Sequence, residues 1–409
     1  TLVRSLPHFS MKPVLLAPTG RAAKVMSTYA RRMAFTVHKR IYRWHDEGGR
    51  RSFEVNPSKK GPLLGVVDEA SMIFENYGGM LTDIFKFFFT EPLGNRLILI
   101  GDHAQLPPVG QPLSPALQRD YLESTLDAQV FEVELTDVVR QASESGILFN
   151  ATRLREKLQY KGEEPRLQTG KFEDVYRMSG DRLEDGLRYA YDSFGIENTV
   201  LLCRSNKSAN MYNQYIRRQI HFREDEIEAG EIIMVVRNNY LYSPLEKGGF
   251  TANGDFAEIM KVISFEEMYG FRFATLSLRL VDYPAVDAFD AKVLLDTLYE
   301  DGASLSEEKE KALQSAVKED YADTDSAAQR REKIRKDPYL NALQIKFAYA
   351  LTCHKAQGGQ WPAVFVEQGY VKEDQIGEES YVRWLYTAVT RATKQLFFVN
   401  FHERFFRND

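Results

Sequence analysis

Two apolar runs that end close to carboxylates are the clearest pattern in this chain. Leu63–Val67 is followed at once by Asp68 and Glu69, and the run 97–100 is followed two residues later by Asp102. Continuous apolar runs bounded by loops are typical of parallel strands that are buried on both faces. Ligands gather at the carboxyl ends of such strands. The sequence therefore predicts functional side chains at these two strand ends.

Strand and helix signals alternate along much of the chain. A strand at 13–17 leads through a Pro-Thr-Gly-Arg loop into an Ala-rich and Lys-containing helix, and the alternation runs on to about residue 141. A second unit of the same kind starts with the apolar run 199–203. This order predicts an α/β fold with parallel sheets.

Three segments interrupt the alternation. Residues 42–55 can pair as a small hairpin around Gly48-Gly49, although an ordinary surface loop is equally compatible with the pattern. From 231 to about 280, short strands separated by turn residues predict a small β-barrel. The stretch 290–337 is charged and favours helix, and we interpret it as a solvated helical insertion.

Composition narrows the class of protein. The 409 residues are 44% hydrophobic and 12% aromatic, which is enough for more than one folded core. The net charge of −5 argues against a surface that binds polyanions indiscriminately, so any nucleic-acid contact must lie in a local groove. Two cysteines cannot form a disulfide framework, and no apolar run is long enough to span a bilayer. We therefore expect a cytoplasmic protein without membrane contact.

The Asp68-Glu69 pair has a specific use in nucleotide hydrolysis. The first carboxylate can hold Mg²⁺ through its water shell, and the second can orient or deprotonate the attacking water. The same two residues could instead cap a following helix, and the pair alone does not decide between the two roles.

Seven segments, in this order, resemble the motifs of superfamily 1 DNA helicases, with the closest similarity to the RecD-like branch. They cover nearly the whole chain. The segments are Ala-Pro-Thr-Gly-Arg-Ala-Ala at 17–23, Thr-Val-His at 36–38, Val-Asp-Glu-Ala-Ser at 67–71, Gly-Asp-His-Ala-Gln-Leu-Pro-Pro-Val at 101–109, Leu-Thr-Asp-Val-Val-Arg-Gln at 135–141, Ala-Leu-Thr-Cys-His-Lys-Ala-Gln-Gly at 350–358 and Tyr-Thr-Ala-Val-Thr-Arg-Ala at 386–392.

The resemblance implies two RecA-like domains of the P-loop NTPase class that clamp ATP between them. The first would comprise 1–145, with the hairpin at about 42–57 as the pin that splits duplex. The second would comprise 146–230 and 345–409. An SH3-like barrel at 231–285 and the charged insertion at 286–344 complete this prediction.

The resemblance also assigns catalytic roles, with ATP and Mg²⁺ as the cofactors. Asp68 would hold the metal, and Glu69 would activate the water. Gln105 would sense the γ-phosphate, while Arg140 and Arg391 would stabilise charge on the transferring phosphoryl group. Without the family, both arginines would be read as surface salt-bridge residues. The residues implied to contact the nucleotide are Thr1, Asp68, Glu69, Gln141 and Gly358.

The implied polymer is single-stranded DNA, including duplex junctions, tracked from 5′ to 3′ in repair or recombination, with nuclease or repair proteins as candidate partners. Hydroxyls, imidazoles and a lysine suit phosphate oxygens without reading sequence. Trp361 could stack on a base, although a core position suits it better. The positions that match the strand-contacting motifs are Pro18, Thr19, Thr36, His38, Pro107, Pro108, Thr352, His354 and Lys355.

One family motif is missing. The chain has no Gly-x-x-x-x-Gly-Lys-Ser/Thr sequence, and the single Gly-Lys pair, Gly170-Lys171, is followed by Phe172. We expect that the chain starts just downstream of this loop, that it hydrolyses ATP negligibly as it stands, and that the full-length protein is an active helicase. A motor-inactive nucleic-acid-binding subunit, and a related branch acting on RNA or running 3′ to 5′, remain alternatives.

Overall fold

The computed structural model describes residues 2–47, 50–75, 79–135, 145–159, 164–242, 251–283, 286–324 and 326–406. The chain forms two compact units. Unit 1 combines Thr1–Ile41, Val55–Arg204 and Leu351–Asp409, and unit 2 combines Tyr42–Glu54 and Ser205–Ala350.

The regular elements follow each other in mixed order. The helices are α1 (Leu2–Ser5), α2 (Gly20–Ala30), α3 (Val37–Ile41), α4 (Met80–Phe89), α5 (Arg119–Leu126), α6 (Gly146–Gln159), α7 (Leu183–Phe194), α8 (Asn206–Tyr215), α9 (Glu307–Asp320), α10 (Ala327–Arg335), α11 (Cys353–Ala356) and α12 (Glu379–Val389). The strands are β1 (Lys12–Ala17), β2 (Phe35–Thr36), β3 (Tyr42–Glu47), β4 (Arg50–Val55), β5 (Leu63–Val67), β6 (Arg96–Leu99), β7 (Val175–Met178), β8 (Thr199–Cys203), β9 (Ile232–Val235), β10 (Phe256–Met268), β11 (Phe271–Leu280), β12 (Phe289–Leu294), β13 (Leu343–Phe347), β14 (Ala350–Thr352), β15 (Trp361–Glu367) and β16 (Ala392–Val399).

The first sheet of unit 1 has the strand order β2-β1-β5-β6, and all its pairings are parallel. Every residue of β5 is buried, as the apolar run predicts. The same prediction for the second run is wrong, because β6 is only partly buried. Among the described strands β6 lies at the edge of the sheet, so one neighbour instead of two covers it.

The second sheet of unit 1 has the order β14-β8-β15-β16-β7, with parallel pairing from β8 through β15 and β16 to β7. Its central strand β8 is buried throughout. Helix α12 is also largely buried, and it packs against α6 and the sheet. Two parallel sheets with helices confirm the predicted α/β class. Both sheets lie in one compact unit, which a boundary at 145 does not anticipate.

Unit 2 contains a closed five-stranded barrel with the order β10-β11-β12-β13-β9, so the predicted barrel is confirmed. Its predicted limit of 285 is wrong, because β12 and β13 close the barrel and both lie beyond it. Residues 345–347 therefore belong to the barrel. The reason is that β13 pairs with β9 across more than a hundred residues, a pairing that no local pattern reveals.

The other insertions also form the predicted elements. Strands β3 and β4 make a two-stranded sheet at the predicted hairpin. Helices α9 and α10 occupy the charged segment, and Leu313 and Val317 of α9 join the core cluster of the barrel. No described helix is both long and apolar enough to cross a bilayer.

A buried ion pair is a main feature of unit 2. Arg217 and Glu231 are 2% and 0% exposed, and their two contacts measure 2.6 Å (Nε–Oε1) and 2.8 Å (Nη2–Oε2). The Tyr349 hydroxyl donates to Oε1 at 3.0 Å, and the guanidinium lies 4.3 Å from the centre of the Phe347 ring. Arg217 Nη2 also donates to the Asp225 carbonyl at 2.9 Å, and the Glu228 amide donates to Glu231 Oε2 at 2.8 Å. Both charges are therefore desolvated, and each is the only opposite charge that these contacts give the other.

We expect Glu231→Gln to lower the free energy of unfolding by about 3–5 kcal/mol, because it leaves the buried guanidinium without an opposite charge. Urea titration followed by far-ultraviolet circular dichroism measures the change. The control is Glu258→Gln, which breaks the exposed pair with Arg279 and should cost under about 1 kcal/mol. Equal losses for the two variants would contradict this account of the ion pair.

Candidate functional site

The carboxyl ends of the first sheet bring the predicted residues to one edge. Because β2, β1, β5 and β6 run parallel, the residues that follow them leave on the same side. The side chains at these ends are Pro18 and Thr19 after β1, Thr36 at the end of β2, Asp68 and Glu69 after β5, and Asp102 and Gln105 after β6.

The acidic pair has an unusual backbone. Asp68 accepts a hydrogen bond from the amide of Glu69 at Oδ1, 2.9 Å away. Glu69 has φ 53° and ψ 41°, in the left-handed region. The left-handed region costs a residue other than glycine roughly 1–2 kcal/mol, and non-glycine residues with this backbone cluster at functional sites. The capping alternative is not favoured, since Glu69 makes no side-chain cap of the following turn.

Asp68 suits a magnesium ion bound together with phosphate. Its carboxylate is partly exposed, and one oxygen is used by the Glu69 amide. Magnesium prefers hard oxygen ligands, and at phosphate sites it is held by one or two carboxylates together with the substrate. Across the residues that the structure describes, no group of three or more His, Cys, Asp or Glu side chains could hold a metal ion. Asp68 therefore stays the predicted ligand for Mg²⁺.

Gln105 lies in a tight loop after β6. The Asp102 carboxylate accepts from the Ala104 amide at 3.0 Å, and the Gln105 amide donates to the Asp102 carbonyl at 3.1 Å. Gln105 is 8% exposed, and its Oε1 has no hydrogen-bond partner within the described ranges. It opens on a small pocket, lined by Ser71, Asp102, His103, Gln105, Pro107, Leu113, Ser114 and Leu117. A buried unpaired acceptor of this kind needs a donor, such as water, from outside the chain.

Side chains that belong to the region of the second sheet form hydrogen bonds with the backbone of the same loop. The Leu106 amide donates to the Thr387 hydroxyl at 2.8 Å, and the Leu106 carbonyl accepts from Gln357 Nε2 at 2.8 Å. The Gln105 carbonyl accepts from Arg383 Nη1 at 3.3 Å. Side chains more than 250 residues away in sequence thus satisfy the backbone beside Gln105.

Gly358 lies against the start of α2. A Cβ at this position would be 2.7 Å from the Ala22 Cβ and 3.0 Å from the Thr19 hydroxyl oxygen, and its φ is +75°. Nearby, the Arg21 guanidinium lies 4.6 Å from the centre of the buried Trp361 ring. Trp361 is therefore a core residue, and glycine is the residue that this close approach allows.

We expect Gly358→Ala to lower the free energy of unfolding of unit 1 by about 2–4 kcal/mol, through the steric contact and the left-handed backbone together. Thermal unfolding of both variants measures the effect. The matched control is Gly377→Ala, where an added Cβ meets nothing within 4 Å, and a change under about 1 kcal/mol is expected. A Gly358→Ala protein as stable as the control would refute the close approach.

Arg391 is buried at 1% exposure and does not face bulk water. Its Nε donates to the Thr387 carbonyl at 3.0 Å, Nη1 to the Gly359 carbonyl at 3.1 Å, and Nη2 to the Thr390 hydroxyl at 3.1 Å. Arginine has five N–H donors, so two remain without a partner among the described residues. The surface salt-bridge alternative for Arg391 is wrong.

The predicted strand-contacting residues differ in exposure. Thr19 caps α2 by accepting from the Ala22 amide, and the buried Thr36 accepts from the Lys39 amide. Both hydroxyls therefore also serve local structure. Thr352 is buried, and the remaining positions are partly or largely exposed, namely Pro18, His38, Pro107, Pro108, His354 and Lys355.

Two histidines at this edge have altered pKa values. Burial lowers the pKa of His38, against a smaller opposite effect of Asp83. Protein atoms that surround the imidazole and partly desolvate it, with the charge of Lys355 as a second cause, lower the pKa of His354 although the residue as a whole is exposed. Burial also lowers the pKa of Lys355. The two imidazoles are therefore neutral at pH 7 and can both donate and accept hydrogen bonds.

Three predicted residues, Thr1, Arg140 and Gln141, lie outside the described residues. The structure also adds residues that the sequence did not single out for a role, among them Arg21, Arg155, Arg383 and Tyr386. Tyr386 lies inside a family-like motif, so the sequence could indicate a role for it. The sequence could not indicate its hydrogen-bond partner, Asp102. Arg155 and Arg383 carry no local signal, because an arginine on an amphipathic helix is usually a solvated residue.

Two family models match this chain, one over the first sheet of unit 1 and the other over part of the second sheet. Residues 5–162 match a model described as an AAA domain, and residues 347–399 match the UvrD-like helicase C-terminal domain. The ATP-dependent RecD2 DNA helicase of Deinococcus radiodurans is 34% identical over 135 residues, which are 33% of this chain and 16% of that protein. Over these segments the chain is similar to superfamily 1 helicases of the RecD-like family.

The matched segment therefore covers about one sixth of the length of that curated helicase. Among solved structures, a Pif1 helicase from Bacteroides in complex with ADP-AlF3 and single-stranded DNA aligns with 97% of this chain and 85% of its own, at 15% identity and a TM-score of 0.45. A Pif1 helicase from Candida albicans aligns with 84% and 72%, at 14% identity and a TM-score of 0.42.

Proposed function

We propose that this chain carries the motor of an ATP-dependent DNA helicase that moves along single-stranded DNA from 5′ to 3′, in repair or recombination. The observation that carries the proposal is the link between the two sheets of unit 1. The loop with Gln105, from the first sheet, is hydrogen-bonded to α12, whose end leads into Arg391. A nucleotide at the edge beside Asp68 would therefore be sensed by both sheets.

Each catalytic residue has a defined task in this proposal. Glu69 accepts a proton from the water that attacks the γ-phosphorus, while the bond from that phosphorus to the ADP oxygen breaks. Gln105 donates from its amide to the γ-phosphate, and the two spare N–H groups of Arg391 stabilise the charge that develops on the phosphoryl oxygens. Magnesium on Asp68 would neutralise charge on the β- and γ-phosphates.

Hydrolysis would become movement because Arg391 belongs to the second sheet and the carboxylates belong to the first. A cleft that must close for chemistry and open for product release changes the distance between two DNA-contacting surfaces in every cycle. One surface would comprise Thr19 after β1, Thr36 at the end of β2 and His38 in α3. The other would be the segment with His354 and Lys355.

The 409 residues alone would bind ATP weakly, because they contain no Gly-x-x-x-x-Gly-Lys-Ser/Thr loop to hold the phosphates. The assay of helicase activity therefore uses the full-length natural protein. The 409-residue chain serves as a second sample, for which we expect DNA binding without ATP turnover.

Strand separation on tailed duplexes tests the proposal. Three duplexes, with a 5′ single-stranded tail, with a 3′ tail and with blunt ends, are incubated with protein and either ATP or a non-hydrolysable analogue. We expect separation only of the 5′-tailed duplex and only with ATP. Preference for a 3′ tail or for an RNA strand would contradict the branch, and binding without ATP-dependent separation would identify a passive binding subunit.

A further inference from the structure

Asp102 and Tyr386 form a hydrogen bond between the two sheets of unit 1. The Tyr386 hydroxyl donates to Asp102 Oδ2 at 2.5 Å, and the two residues are 284 positions apart. Arg155 of α6 adds a charge contact, with Nη1 3.6 Å from the other carboxylate oxygen, Oδ1. Tyr386 is 7% exposed, so the contact is mostly shielded from water. A bond to an ionised acceptor in such surroundings is strong and directional.

Three residues on one face of α12 hold three residues of one loop. Positions 383, 386 and 387 are spaced by three and one, so they point to the same side of a helix. Their partners are the Gln105 carbonyl, the Asp102 carboxylate and the Leu106 amide. One turn further along, the Thr387 carbonyl accepts from Arg391 Nε. The helix therefore joins the Gln105 loop to Arg391 through a short, rigid path.

We propose that Asp102 and Tyr386 are a positioning pair, whose hydrogen bond fixes the Gln105 loop to the helix that leads to Arg391, so that both side chains reach the nucleotide together. This inference rests on the proposed function. Neither residue would touch the nucleotide. They act through Gln105 and Arg391, and the loss of the bond would lower the rate of hydrolysis more than the affinity for ATP.

The chemistry of the pair makes Tyr386 a permanent donor. Burial, followed by the charge of Asp102, raises the pKa of the Tyr386 hydroxyl, so that it keeps its proton at every physiological pH. In this proposal the bond forms when the two sheets close and breaks when they open.

Helix α12 supplies its own control residue. Tyr381 is buried on the same helix, and its hydroxyl has no partner within the part of the chain that the structure describes. Tyr386→Phe and Tyr381→Phe remove the same atom from the same helix, but only the first removes a bond to the other sheet. A difference between them reports the bond and not the loss of a tyrosine hydroxyl as such.

The test compares wild type, Tyr386→Phe, Tyr381→Phe and Asp102→Asn in the full-length protein. For Tyr386→Phe we expect kcat of DNA-stimulated ATP hydrolysis to fall about 10-fold or more, with KM for ATP within about twofold. Tyr381→Phe should match wild type. Asp102→Asn keeps an acceptor for Tyr386 but loses the charge that faces Arg155, and we expect a smaller loss.

Hydrogen exchange of the peptide covering residues 101–108 gives a second measurement that needs no ATP. We expect faster exchange in Tyr386→Phe than in wild type or Tyr381→Phe, because the loop loses an anchor. Equal exchange in all three proteins would overturn the proposal that Asp102 and Tyr386 are a positioning pair. A kcat for Tyr386→Phe within twofold of wild type would overturn it as well. Absence of hydrolysis in wild type would overturn the proposed function, and the exchange result would still decide whether the pair anchors the loop.

Discussion

Glu69→Gln is expected to lower kcat for DNA-stimulated ATP hydrolysis by about 10²–10⁴-fold, the usual contribution of a general base. Glutamine keeps the size and the hydrogen-bonding oxygen of the side chain but cannot accept the proton of the attacking water at pH 7. Affinity for single-stranded DNA should change by less than about twofold, since Glu69 makes no phosphate contact in this account. Steady-state hydrolysis and fluorescence anisotropy with a labelled oligonucleotide measure the two quantities.

The control for this variant is Glu91→Gln, which makes the same chemical change at an exposed residue between α4 and β6. It should hydrolyse ATP like the wild type. If Glu69→Gln kept more than a tenth of the wild-type kcat, the carboxylate at the end of β5 would not be the base, and the left-handed backbone of Glu69 would need another explanation.

Arg391→Lys is expected to lower kcat by about 10³-fold or more, because a compact ammonium group cannot replace a guanidinium that stabilises a transferring phosphoryl group. The substitution also removes the fork that bonds to Thr387, Gly359 and Thr390, so we expect a loss of about 1–3 kcal/mol in the free energy of unfolding. Hydrolysis assays at a temperature well below unfolding separate the two effects.

Arg188→Lys is the matched control for this substitution. Arg188 pairs with Glu184 one turn away on the surface of α7, so its replacement should alter stability by less than about 0.5 kcal/mol and kcat not at all. An Arg391→Lys protein that is destabilised but still hydrolyses ATP at wild-type rates would make Arg391 a structural residue and remove it from the mechanism.

Much of the fold follows from local signals. The runs at 63–67 and 199–203 become the buried strands β5 and β8, since a strand covered on both faces has no polar positions to offer. The local pattern predicts the barrel but not its C-terminal limit, because β13 pairs with β12 and β9 over long sequence separations. The exposure of β6 depends on how many strands flank it, and no pattern inside the strand carries that information.

In the candidate site too, the sequence predicts some residues but not the contacts that hold them. Asp68, Glu69 and Gln105 could be named from the sequence because each follows an apolar strand within a family-like motif. The contacts that hold Gln105 could not, since Thr387, Gln357 and Arg383 reach its loop from 251 to 281 residues away. The burial of Arg391 likewise could not be predicted from the sequence, because it depends on the carbonyl groups that surround the guanidinium in the fold.

The most direct test of the whole account is the rate of ATP hydrolysis by the full-length protein as single-stranded DNA is titrated in. We predict a saturable rise of about 10-fold or more that Glu69→Gln lacks, since DNA should favour the closed arrangement of the two sheets. A rate that stays at the level of the Glu69→Gln protein at every DNA concentration would contradict the claim that the two sheets of unit 1 form a DNA-coupled ATPase.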